Sequence, residues 1–434
     1  MNKVIKVSIY AAAFASMLAL PSLVSILPGV EFGKAHAETK TKRVPALREK
    51  VYSQLARAQK LADDGDIVGG LAALDTVKGR MNSMNAYEVA MMYNFYGFIY
   101  YNQNQLDKAI ASFEQVIAQD AIPESLALTT TFSLAQLAMA NEQYNKVIDY
   151  LKQWDAINTQ PKSDNYFVLK SQAYYQMKDY KNALENINVA IGLTEAKNEV
   201  PNENWLVLQR ALYYSMNQPK DVVKVLEKMV KLYNKPMYWV QLGGMYGEIG
   251  EEKKQLAILE SAYQQGFIQS KSDYQQLSQA YLMSGVPYKA AALYAKGLQA
   301  NVVENNAKNN AFVAEAFAQA KEYGKATNYF IAAAKASEHG KYDQRLAEIY
   351  ITLEKFEEAA DAVRAALNKG GLDSEANAYV ALGMAQFSLQ NFDASILAFE
   401  QAEKHVRSQK LAQQWIKYVK NEKLHSETLK TALL

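Results

Sequence analysis

Four groups of residues in this chain have types that could do chemistry, and each falls short in spacing. Beyond residue 37 the histidines are His339, His405 and His425. None has a second His or a Cys at metal-ligand spacing, and a transition-metal site needs several such ligands converging. A catalytic histidine also needs a partner to orient it, and none of the three has one in its sequence neighbourhood. Gly324–Lys325–Ala326–Thr327 has the tail of a phosphate loop, without the upstream glycine and without Ser or Thr directly after the lysine. Gly244, Gly247 and Gly250 lie along a helical pattern rather than after a strand, which reads as close helix approach and a helix end, not a dinucleotide turn. Glu251–Glu252 and Glu357–Glu358 pair carboxylates at turns, where they help cap helices. No Gly-x-Ser-x-Gly elbow occurs. The expectation is a non-enzymatic chain with no catalytic residue, no cofactor and no metal.

The chain does repeat a packing pattern. About every 34–39 residues a large apolar residue is followed by Ala, Gly or Ser, then by Tyr or another bulky residue, then by Ala. The clearest copy is Trp239, Leu242, Gly243, Tyr246, Gly250. Earlier copies run through Tyr96, Gly97, Tyr100 and Phe113, through Leu134, Ala135 and Leu151, and through Ser171, Tyr174 and Ile187. Later ones run through Ser278 and Tyr281, Ala314 and Phe317, Ala347 and Tyr350, then Gly383 and Phe399. A weaker first copy fits Ala58, Leu61 and Gly65. Within each copy the apolar positions fall three, four and seven apart, so they line one helical face. The small residues mark where two antiparallel helices approach most closely. Polar stretches such as Gln103–Asn104–Gln105 and Lys178–Asp179 mark the turns. One hairpin cannot bury both faces, so neighbours must stack.

These residues resemble the tetratricopeptide repeat, from about residue 47 to 405. The resemblance implies an all-α fold, a right-handed alpha-alpha superhelix of about ten helix-turn-helix repeats. It also implies a closing helix, and Leu411, Trp415, Tyr418 and Val419 fit one. The expected organisation is a signal peptide at 1–37, read from the residues described below, a lead-in at 38–46, the solenoid at 47–405, and a C-terminal capping helix and tail at 406–434. Two copies depart from the pattern. The fifth, started from Trp205 and Leu212, carries one extra residue near Pro219 and puts Gln209 where a small residue belongs. The sixth has Gln255 where Ala is expected. Such copies either pack more loosely or are framed a residue differently.

Lys3 and Lys6 precede an almost wholly apolar run, Val7 to Leu20, and Ala35–His36–Ala37 supplies a small-x-small cleavage signature. Cleavage there leaves a chain beginning at Glu38, exported to the periplasm. Pro21 and Pro28 interrupt any continuous membrane helix, and no other stretch has the ~20 apolar residues of a span. The mature chain loses three lysines and one glutamate, which takes the formal net charge from +2 to neutral. A balanced chain exerts no long-range pull on nucleic acid or anionic lipid. Lys224, Lys228 and Lys231 read as a solvated face. There is no cysteine, so stability rests on helix stacking.

The family resemblance further implies that first helices line a groove, which places Phe98, Tyr101, Phe132, Gln136, Tyr175, Arg210 and Tyr213 along it. Exposed apolar and aromatic groups there suit an extended peptide or a partner helix. The opposing reading is that these rings are core, because 29 tyrosines must be accommodated. Residues 43–101 also look similar to exported repeat proteins that accompany TonB energy-transduction systems. That implies a periplasmic adaptor whose partner is a protein of such a system, in iron-complex uptake. The alternative is an envelope-assembly adaptor in outer-membrane protein or polysaccharide export, which the lack of a lipid-bearing Cys at the cleavage site disfavours.

Overall fold

The computed structural model describes residues 45–433, so the expected signal peptide and all but the end of the lead-in lie outside the described residues. Among the described residues there are twenty-one α-helices, one short 3-10 turn and no strand. The chain divides into two compact units, with the boundary between Leu137 and Ala138. The first unit holds α1 (Glu49–Asp63), α2 (Ile67–Lys78), α3 (Ala86–Asn102) and α4 (Leu106–Ile117), and the boundary falls within α5 (Glu124–Ala140). The second holds α6 (Tyr144–Ile157), α7 (Asp164–Gln176), α8 (Tyr180–Glu195), α9 (Glu203–Ser215), α10 (Pro219–Tyr233), α11 (Pro236–Glu248) and α12 (Glu252–Gln264). It continues with α13 (Lys271–Met283), α14 (Pro287–Gln299), α15 (Ala307–Gln319), α16 (Tyr323–Lys335), α17 (Lys341–Thr352) and α18 (Phe356–Lys369). It ends with α19 (Glu375–Ser388), α20 (Phe392–Glu403) and α21 (Gln409–Leu433). Odd-numbered helices pack on the even-numbered helix that follows, from α1–α2 and α3–α4 in the first unit to α7–α8 through α19–α20 in the second.

The turns within hairpins set the register. Each contains one residue in the left-handed region: Gly65, Asn104, Glu142, Lys178, Asn217, Gly250, Gly285, Lys321, Glu354 and Gln390, with φ from 56° to 96°. The residue after it donates its N–H to a carbonyl five residues back, as Gln105 does to Tyr100 at 2.9 Å and Val286 to Tyr281 at 2.9 Å. This 6→1 bond closes the first helix, satisfies one of its orphan carbonyls and reverses the chain.

In nine of the ten turns a small residue stands seven before the left-handed residue, and sixteen after the small one stands a buried apolar side chain of the second helix. A Cβ at Gly97 would lie 2.6 Å from the Phe113 ring, at Gly243 2.5 Å from Leu259, and at Gly383 2.7 Å from the Phe399 ring. The ring or branched chain fills the space that the missing methyl leaves, which is the close approach the spacing predicts. Phe113, Leu259 and Phe399 are all nearly inaccessible, and each such side chain contributes about 1.5–3 kcal/mol on burial.

Stacked hairpins are also joined by phenols. Tyr96 on α3 donates to Asp75 on α2, Tyr166 on α7 to Asp155 on α6 at 2.6 Å, Tyr246 on α11 to Glu227 on α10 at 2.5 Å, and Tyr281 on α13 to Glu260 on α12 at 2.9 Å. A buried phenol needs a partner for its O–H, and here the carboxylate comes from the preceding hairpin. At the C-terminus α21 packs on α20, with Trp415 stacked on Phe399 at 5.3 Å and Ile416 and Val419 beside it.

Candidate interaction face

The turn register gives each first helix equivalent positions one and four residues after the small residue, and the second of these is the outward one, at least partly exposed on every first helix. On α3 these are Phe98 and Tyr101, both half-buried. Phe98 meets Phe113 edge to face at 5.4 Å, so part of its ring is committed to its own hairpin. Phe132 and Gln136 on α5 are also half-buried. These four residues belong to the first unit.

In the second unit, Tyr175 is half-buried and its ring lies 5.9 Å from Tyr180 on the next helix. Burial pushes its phenol above the usual tyrosine pKa. Arg210 on α9 donates a guanidinium hydrogen bond to Gln241 on α11, which ties successive first helices together. Tyr213 packs against the core of α8, α9 and α10 around Leu212 and Leu226.

The fifth copy reads differently in the structure than in the sequence. Its left-handed residue is Asn217, so the turn is of ordinary length and no residue is inserted near Pro219. Counting back seven places Arg210, not Gln209, at the small position. An arginine cannot occupy that close approach. Instead α9 turns Leu206, Ala211 and Leu212 to the interior, and the guanidinium leaves sideways to Gln241. The shift moves Tyr213 to the inward bulky position and brings Tyr214 to the outward one, equivalent to Tyr101 and Tyr175. Tyr214 is 45% exposed. The signal that could have found it was the Asn217–Gln218–Pro219 turn, because Pro219 opens α10 at its first position.

The sixth copy is explained by a pair. Gln255 takes the alanine position because residue 247 is glycine; a Cβ there would lie 2.6 Å from the Gln255 amide nitrogen. Gly244 likewise leaves room for the amide of Gln276, 2.8 Å from where a Cβ would stand. Gln276 in turn reaches the Val240 carbonyl at 3.5 Å. The glycines therefore serve helix approach, as their spacing suggests.

Among the described residues no three His, Cys, Asp or Glu side chains converge in a way that could hold a metal ion. No helix among them is long and apolar enough to cross a membrane. What the arrangement offers is exposed side chains on ordered first helices, including Tyr214, Met237 at 46% exposure and Met283 at 60%.

No curated protein matches the chain at a significant level. Among solved structures, a tetratricopeptide repeat protein from Parabacteroides merdae is 15% identical, with 60% of this chain and 99% of that one covered and a TM-score of 0.33. YrrB, described as a TPR protein with an unusual peptide-binding site, is 14% identical over 44% of this chain and 97% of its own, with a TM-score of 0.37. The APC/C hetero-tetramer Cut9-Hcn1 is 14% identical over 86% of this chain and 78% of its own, with a TM-score of 0.29. Residues 90–122 and 376–404 match the tetratricopeptide repeat family itself. These segments fall on the α3–α4 and α19–α20 hairpins, and in them the chain carries the tetratricopeptide repeat.

Proposed function

We propose that this chain is an exported, non-enzymatic scaffold of the periplasm that holds a protein partner on its first helices, as an accessory of a TonB energy-transduction system. The observation that carries the scaffold reading is the open first-helix face of the second unit. Large side chains at Tyr214, Met237 and Met283 stay exposed on helices whose other sides are packed. Exposed aromatic and methionine side chains on an ordered surface are the usual anchors of a protein contact. The export reading rests on the Lys3, Lys6, Val7–Leu20 and Ala35–His36–Ala37 sequence, and the TonB reading on the resemblance of residues 43–101.

Each part has its own experiment. N-terminal sequencing of protein from the periplasmic fraction is expected to begin at Glu38; a chain retaining Met1 in the cytoplasm overturns the export reading. Cross-linking in intact cells followed by capture of the wild-type chain is expected to recover a periplasmic TonB-system protein, and Tyr214→Ala to lose it. Repeated recovery of other envelope proteins, with no TonB-system component, removes that identification.

A further inference from the structure

A recess lies on the second helices, between α12 and α14. Both pack on α13 but hardly on each other, and the cleft between them holds about 430 Å3. That volume is within the range of small-molecule sites, about 300–1,000 Å3. The sequence makes the room. Lys289, Ala292 and Lys296 stand on successive turns of one face of α14, and the alanine leaves open the space that a longer side chain would fill. Glu260, Tyr263 and Gln264 form the facing edge of α12, and the buried Tyr281 of α13 lines the inner side. Charge in the cleft does not cancel. Glu260 accepts from Lys289 at 2.7 Å and from the Tyr281 hydroxyl at 2.9 Å. On the neighbouring α16, Lys325 pairs with Glu322 at 3.1 Å and lies 4.7 Å from the centre of the Tyr288 ring, which also lines the cleft. Lys296 has a neutral partner, the Tyr263 hydroxyl at 2.9 Å, and no carboxylate among the described residues pairs with it. Neither α14 nor α16 contains an acidic residue. Three lysines thus meet two glutamates, and the positive charge left over is Lys296, held at the cleft by a phenol.

We propose that this cleft binds a saccharide unit bearing one carboxylate, a uronic-acid sugar, with Lys296 taking the carboxylate. An ammonium against a carboxylate forms a charge-assisted hydrogen bond, and one uncompensated cation matches one negative charge. A phosphomonoester carries close to two charges at neutral pH and would leave one of them unmatched. The rest of the lining suits the hydroxyl rim and the apolar faces of a sugar ring. Phenol hydroxyls and the Gln264 amide both donate and accept, and the tyrosine rings supply apolar surface beside them. An aspartate or glutamate side chain of a protein partner would satisfy Lys296 while filling little of the cleft. The bridges Lys289–Glu260 and Lys296–Tyr263 both cross from α14 to α12. Their lysines are separated by a rise of about 10 Å along α14, which limits the site to a short unit rather than a running chain.

The scaffold function concerns the first helices, so it and this site can each fail alone. The full mature chain is titrated, with ligand-observed NMR as the readout, against an aldobiouronic acid, one glucuronic unit joined to a neutral sugar. The other probes are its neutral methyl ester, glucose 6-phosphate, acetate and a glutamate-rich peptide. The expected result is a Kd below about 1 mM for the acid and binding of the ester weaker by at least about fivefold. Affinity for the acid should fall severalfold between about 50 and 500 mM salt. Lys296→Gln should lower it at least about fivefold and Lys296→Arg should keep most of it, with helicity unchanged in both. Ala292→Leu fills the cleft while leaving Lys296 in place, and should abolish binding. No binding of the acid, equal binding of the ester, or indifference to Lys296→Gln and Ala292→Leu overturns the inference. Tighter binding of glucose 6-phosphate overturns it in favour of a phosphate, and tighter binding of the peptide in favour of a protein partner. Acetate binding as tightly as the acid reduces Lys296 to an adventitious anion contact and overturns it as well.

Discussion

Arg48 forks onto Glu88, its Nε donating to Oε1 at 2.7 Å and its Nη2 to Oε2 at 2.6 Å. The backbone N–H groups of Arg48 and Asn85 donate to the same carboxylate at 3.1 and 3.0 Å. Glu88 is fully buried and belongs to a capping box with Asn85 at the start of α3. One side chain thus fixes both the entry of the chain into α1 and the first turn of α3.

Acid should therefore loosen the first unit. The guanidinium bond and two backbone N–H groups hold the Glu88 carboxyl at a pKa of about 2, against the penalty of its burial. A depressed folded-state pKa means the unfolded chain takes up its proton first. The stabilisation is present above the ordinary carboxylate pKa of about 4.5 and is lost as pH falls toward 2. Thermal melts across that window should show the loss, and Glu88→Gln should flatten it. Glu88→Ala at neutral pH should cost about 1–2 kcal/mol, because it removes the capping box of α3 while the exposed Arg48 guanidinium returns to water.

Alkali should act on the second unit. Burial, and then the bond to Glu227, push the Tyr246 phenol up to about 12. A raised folded-state pKa means that stability is full below the ordinary value of 10 and is lost as pH rises toward 12. Denaturant midpoints should fall over that interval, and Tyr246→Phe should reduce the slope. An unchanged slope would show that the phenol does not tie α11 to α10.

Gly247 and Gln255 should behave as a coupled pair. Gly247→Ala is expected to change stability by less than about 1 kcal/mol, because the gain in helix propensity offsets the shift of the Gln255 amide, the end of a flexible side chain. Made on a Gln255→Ala background it should stabilise by about 1 kcal/mol, giving an interaction energy above about 0.5 kcal/mol in a double-mutant cycle. Additive effects would mean the glycine is there for another reason.

Tyr213 and Tyr214 separate packing from binding. Tyr213→Ala should cost about 2–3 kcal/mol by opening the core beside Leu212. Tyr214→Ala should change stability by less than about 1 kcal/mol and weaken partner capture severalfold. Equal destabilisation by both would return the fifth hairpin to the register read from Trp205.

How much of this was legible beforehand differs from residue to residue. Gly97 with Phe113 and Gly383 with Phe399 stood at their expected spacing, because the helical period and the length of the turn are local properties. In the fifth hairpin Trp205 is one residue before Leu206 and mimics the large apolar position, while Arg210 disguises the small one. Nothing within that helix says which is meant.

The sequence by itself determined the helices, the hairpin turns and, outside the fifth hairpin, the small residues at which paired helices approach, since all of these act over one hairpin. Only the tertiary structure decided that Arg210 leaves its hairpin for Gln241, that Gln255 is admitted by Gly247, and that Tyr214 rather than Tyr213 faces outward. Those outcomes depend on which side chain meets which across neighbouring helices. That meeting is settled by packing volume and by the partners available to a buried polar group, and periodicity carries no record of either.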